Sequence, residues 1–252
     1  MKLILSPAKR MEIKRTEIRF TLPDFLIESQ EIMKKLKTLN SKQLQNLMDI
    51  SPKLADQNFE RNQLFNFDHN SSNSMQAILA YTGDVYMGLE AKKFTESDLE
   101  FAQNKILILS GLYGILRPLD LIQAYRLEMG TELKFGRYKN LYDFWKNRLT
   151  KKMNDILSQD ETGLLVNLAS DEYYSALDTK KFKTANLKVH FREYKGEKLQ
   201  FVSFNAKKAR GAMARYIVVN RLVDKESIKG FNYEGYYFED SLSSENEYWF
   251  VK

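Results

Sequence analysis

The 252-residue chain contains no cysteine, which removes structural disulfides, thiolate metal sites and every reaction that begins at a thiolate. Histidine is scarce too. His69 lies in the polar stretch NFDHNSSNS and His190 in the alternating run LKVHFREY, and neither adjoins a nucleophile motif such as GxSxG. Histidine-dependent triads are therefore poor candidates, and no EXXH pair or clustered ligand spacing marks a metal centre. No run approaches the ~18 apolar residues of a membrane span, and the apolar stretch in MKLILSPAKR is too short for a secretory signal. The expected location is the cytoplasm.

Acidic residues are missing from one place in particular. From Ser203 to Arg221 the chain reads SFNAKKARGAMARYIVVNR, which carries Lys207, Lys208, Arg210, Arg215 and Arg221 with no Asp or Glu. At about 100° per residue the five cations fall within an arc of roughly 160°, opposite Ala209, Ala212, Met213, Tyr216 and Ile217. Solvated helices usually mix both signs so that i,i+4 pairs form. This one is either a plain solvated basic face or a wall that offers cations to an anion. Its small residues, Gly211 and Ala212 among them, let a neighbouring backbone or a phosphate come close. The net charge of +6 also favours anionic partners such as nucleic acid or nucleotides.

The remaining chain reads as one mixed α/β domain over 1–252, a central sheet surrounded by helices. Lys2 to Ser6, KILILS (105–110) and GLLVNLA (163–169) are short apolar runs bounded by turn residues, which predicts strands covered on both faces. Helical spacing predicts helices over 24–39, 41–50, 51–63, 74–91 and 141–157. The last of these joins two strands as a crossover. Alternation from Leu187 to Tyr194 and from Lys198 to Phe204, around Lys195-Gly196, predicts a β-hairpin, and YYF and YWFV predict strands in the acidic tail.

Three polar clusters sit where strands are expected to end, the usual place for a site in a sheet with helical cover. The first is Ser6-Pro7-Ala8-Lys9, which presents the Lys9 ammonium. The second is SGLYGILRPLDLIQAYRLEMG (110–130), where Arg117 and Arg126 supply planar forks for phosphate or carboxylate and Glu128 follows. It contains neither GxxxxGK[ST] nor GxGxxG. The third is NLASDEYY (167–174), in which Ser170 is expected to cap a helix that opens with Asp171 and Glu172. Asp171, Glu128 and Asp84 of TGDVY are the candidate acid/base groups.

Taken together, SPAK, GDVYMGL (83–89), LSGLYGILRPLDLIQAYRLEMG (109–130), NLASDEYY, FNAKKARGAMARYI (204–217) and GFNYEGYYF (230–238) closely resemble the YaaA family of peroxide stress resistance proteins, in order and over nearly the whole chain. The resemblance implies a cytoplasmic protein that limits intracellular free iron under hydrogen peroxide and so protects DNA and proteins. It also implies a positively charged cleft and double-stranded DNA binding through a helix-hairpin-helix-like element. On that pattern Lys9, Arg117, Arg126, Lys207, Lys208, Arg210 and Arg215 would contact DNA or another anion. Gly111-Leu112-Tyr113-Gly114, with two residues between its glycines, departs from the Gly-x-Gly of such a hairpin. The alternative is an enzyme acting on a small anionic or nucleotide-like substrate in the same cleft, with no cofactor expected. Direct iron sequestration by carboxylates is the third and weakest reading.

Overall fold

The apolar runs lie side by side in the computed structural model, which describes residues 1–252. Its strands are β1 (Lys2–Leu5), β2 (Met75–Gln76), β3 (Ile106–Ser110), β4 (Gly114–Leu116), β5 (Leu121–Ile122), β6 (Leu165–Asn167), β7 (Asn186–Lys195), β8 (Lys198–Gln200), β9 (Tyr237–Phe238) and β10 (Glu247–Val251). The helices are α1 (Leu26–Lys37), α2 (Ser41–Met48), α3 (Pro52–Leu64), α4 (Ala77–Ala80), α5 (Asp84–Leu89), α6 (Glu96–Lys105), α7 (Leu141–Ser158), α8 (Asp171–Tyr174) and α9 (Ser203–Val219).

The main sheet runs β4-β3-β1-β6-β7-β10-β9, with β8 paired to β7. Five strands, β3, β1, β6, β7 and β10, are mutually parallel, while β4, β8 and β9 add antiparallel edges. All five residues of β3 and all three of β6 are buried, as expected of strands covered on both faces. The crossover from β3 through α7 reaches β6 by passing over β1, which lies between them. One buried apolar cluster extends from Met1 to Phe250.

Two expectations change. The segment 74–91 is not one helix. Met75 and Gln76 pair with Ile122 and Leu121, and Tyr81 bridges Met11, so strand partners claim backbone groups that a continuous helix would need. Gly83 then starts α5 with extended backbone, where a Cβ would lie 2.8 Å from the Ala8 Cβ. The second change concerns Gly111 to Gly114, which links antiparallel β3 and β4 with Ser110 opposite Gly114. Strands flank it on both sides and its residues are buried, so it is not a hairpin between helices. Gly114 holds a left-handed φ of 70°, and an added Cβ would meet the Trp145 ring at 2.8 Å.

The basic segment forms one long helix that ends at Val219, leaving Arg221 beyond it with a left-handed φ of 56°, and its small residues face another backbone. At the crossing of α9 with α5, a Cβ on Gly211 would lie 1.7 Å from the Val85 carbonyl oxygen, and one on Gly88 would lie 2.0 Å from that of Lys208. This contact fixes Asp84, the first residue of α5, beside Lys207, with 4.0 Å between Oδ2 and Nζ.

Candidate functional site: a cleft of mixed charge

The chain leaves β1 toward β3 on one side and leaves β6 toward β7 on the other, so the adjacent ends of β1 and β6 diverge. Such a reversal opens a crevice beyond the carboxyl ends of the strands, where open α/β sheets bind ligands. A cavity of about 350 Å³ occupies this place. Ser6 to Arg10 line it from β1, Thr82 to Val85 and Met87 from α5 and its lead-in, Glu128 from the segment after β5, Ser170, Glu172 and Tyr173 from the end of β6, and Lys207 and Arg210 from α9.

Backbone and hydroxyl contacts hold these pieces in register. The Ser170 amide donates to Ser6 Oγ at 2.9 Å, and Ser6 Oγ donates to Ser170 Oγ at 3.2 Å, tying the two strand ends together. The Tyr86 hydroxyl donates to the Ser6 carbonyl at 3.1 Å. Glu172 accepts from the Gly130 amide at 3.0 Å, which anchors the loop that carries Glu128. Beneath them lies a buried chain of hydroxyls in which Tyr125 contacts Tyr81 at 2.7 Å and Ser110 at 2.6 Å. Burial pushes Tyr125 up to about 12 and raises Tyr173 as well, so these phenols are neutral hydrogen-bonding groups at ordinary pH.

Both signs of charge meet within a few ångströms. Lys9 Nζ lies 2.7 Å from Glu128, whose other oxygen is 3.3 Å from Arg126. Asp84 and Lys207 form the looser pair noted above. Four cationic side chains, Lys9, Arg10, Lys207 and Arg210, therefore share the lining with the carboxylates Asp84, Glu128 and Glu172. Arg210 makes no ion pair, and its Nε is buried without a hydrogen-bond partner. Burial lowers its pKa, while Asp171 acts in the opposite sense.

The residues expected from sequence divide accordingly. Lys9, Asp84, Glu128, Lys207 and Arg210 line the cavity, and Arg126 supports it through Glu128. Lys208 instead faces Glu234 at 2.6 Å, and Arg215 faces Glu90 at 3.7 Å. Arg117 pairs with Asp120 at 3.2 Å and Asp24 at 3.7 Å and is not among the cavity residues. Asp171 lines a neighbouring cavity together with Lys188, His190 and Arg192. Thr82 and Tyr173 lie inside the candidate blocks TGDVY and NLASDEYY without having been given a role, and Arg10, next to Lys9, was not anticipated. Lys188, His190 and Arg192 share one face of β7 through simple alternation, and that was the signal for them.

The structure brings no three His, Asp or Glu side chains together in metal-binding proximity. No helix is long and apolar enough to cross a membrane. The family model described as "Peroxide stress protein YaaA" matches residues 1–242. A UPF0246 protein of Flavobacterium psychrophilum is 48% identical over 254 residues, and one of Flavobacterium johnsoniae is 46% identical over 254 residues; each comparison covers the whole of both chains.

Proposed function

The chain belongs to the YaaA family of peroxide stress proteins, and on that premise we propose that it serves the peroxide response by binding and acting on a small anionic, nucleotide-like ligand in the cleft beyond β1 and β6. One observation carries this reading: Lys9 and Glu128, with Asp84 and Lys207, set opposed charges 2.7 to 4.0 Å apart in the lining of one cleft. Lys9, Lys207 and Arg210 bind the polar groups of the ligand, and Glu128 or Asp84 transfers the proton. A groove that tracks a duplex backbone needs cations alone, because every phosphate carries the same sign. Three carboxylates in the lining work against that use. Limitation of free iron is then a cellular consequence of the ligand chemistry.

A second reading keeps double-stranded DNA as the partner, with DNA protection following directly. The net charge of +6 and the exposed Lys9, Arg10 and Lys207 at the cavity favour it. Mobility shifts of a short duplex across a salt series separate the two. For the small-ligand reading, duplex binding is weak and changes little when Lys207 and Lys208 become Ala, since both already face carboxylates. Tight binding that collapses in this folded double variant and falls steeply with salt would move the function to DNA.

A further inference from the structure

The neighbouring cavity, about 210 Å³ in volume, shares the Arg210 side chain with the first. Residues of the link from β6 into α8 alternate between the two: Ala169 and Asp171 line the second, Ser170 and Glu172 the first. Its charge balance differs. Lys188, Arg192 and Arg210 stand against one lining carboxylate, Asp171, whose side chain is 86% exposed and lies 3.3 Å from Lys188 Nζ.

Lys188 has Asp171 as its partner, but neither guanidinium is ion-paired. Arg192 lies over the Phe201 ring at 4.9 Å and the Trp249 ring at 5.5 Å, and its Nη1 donates to the Phe191 carbonyl at 2.9 Å. Arg210 keeps an unpartnered Nε. His190 stacks on Trp249 with Nε2 3.4 Å from Glu247, and burial followed by Lys188 lowers its pKa, leaving a neutral ring beside the cations. Two guanidinium forks and an ammonium around one space match a group with several equivalent acceptor oxygens and nearly two negative charges. At about 30 Å³ per water, the space holds roughly seven waters, enough for a phosphoryl group and the atoms next to it.

We propose that this second cavity is a phosphoryl subsite, and that the ligand of the cleft is a phosphate monoester whose phosphoryl group lies among Lys188, Arg192 and Arg210 while its polar remainder reaches Lys9 and Glu128. The monoester identity rests on the small-ligand reading above; the subsite stands on its own residues.

The test is calorimetric titration of the full-length protein with inorganic phosphate at fixed ionic strength, paired with peroxide survival of cells carrying each variant. Arg192→Gln is expected to weaken phosphate binding tenfold or more and to reduce survival; Lys188→Gln, which leaves the Arg192 packing intact, is expected to do the same and keeps the test decisive should Arg192→Gln unfold. Lys180→Gln makes the same charge change on an exposed lysine and leaves both readouts at wild-type level. Phosphate affinity that is unchanged by Arg192→Gln and Lys188→Gln, or that falls equally with Lys180→Gln, overturns the subsite. Weakened phosphate binding with wild-type survival overturns the phosphorylated ligand. Failure of the cleft reading is seen separately, in the survival of Glu128→Gln, a variant whose phosphate titration is expected to match wild type.

Discussion

Asp160 is a single buried carboxylate that collects the Met1 amino group, Lys105 at 3.7 Å and Lys2 at 3.9 Å beneath the β1–β3 end of the sheet. Burial by itself would raise its pKa, but the amino group, the Thr162 hydroxyl and Lys105 outweigh that and bring it to about 2. Because the folded value is depressed, the stability it contributes is complete above about pH 4 and is lost as pH falls toward 2. The thermal midpoint of the wild type should therefore drop through that window. Asp160→Asn should start lower at neutral pH and show a shallower fall, and a parallel pH profile would contradict the assignment. The same scale explains what the sequence hid. The basic segment has no acid of its own, yet Asp84, Glu234, Glu90 and Asp98 reach Lys207, Lys208, Arg215 and Arg221 from distant segments. Only the fold reveals which cation, Arg210, remains without one.

Among the elements, the crossing of α5 and α9 is the contact on which the cleft depends. Gly211→Ala gains about 1 kcal/mol of helix propensity, but its Cβ must displace the Val85 carbonyl, an overpacking cost of about 3 kcal/mol or more. The net loss should lower the melting temperature by roughly 4–8 °C. Calorimetric unfolding checks this, and a midpoint at or above wild type would show that the helices separate freely. Elements with a long, unbroken pattern were legible beforehand: α7 spans Leu141–Ser158 where spacing predicted 141–157, and α9 covers the basic segment, although it starts at Ser203 where alternation carried the preceding strand on to Phe204. The segment 74–91 was not legible, because every residue from 74 to 81 is buried and cross-chain pairing breaks a pattern that local spacing favours. The hairpin of β7 and β8 was legible in place but not in extent, since β8 ends at Gln200 to let α9 begin.

Across the whole molecule, the connections of the sheet turn short motifs far apart in sequence into one cleft. Ser6 to Lys9 and Ser170 to Tyr173 meet because β1 and β6 are neighbours whose chains leave in opposite directions, and Glu128 joins them through Gly130 and Glu172. Strand ends could be read from apolar runs, so these blocks were visible as candidates. Their convergence was not, since strand order is set by pairing rather than by sequence position. Arg117 illustrates the difference: it follows the edge strand β4 and turns to Asp120 and Asp24. The most direct test of the cleft is survival under hydrogen peroxide of cells that carry Glu128→Gln as their only copy, with folding checked by thermal midpoint. The substitution removes a negative charge and leaves every cation in place, so a duplex-binding surface would be unharmed or improved. Loss of protection to the level of the null strain is the expected result, and full wild-type protection would contradict a cleft that works on a small ligand.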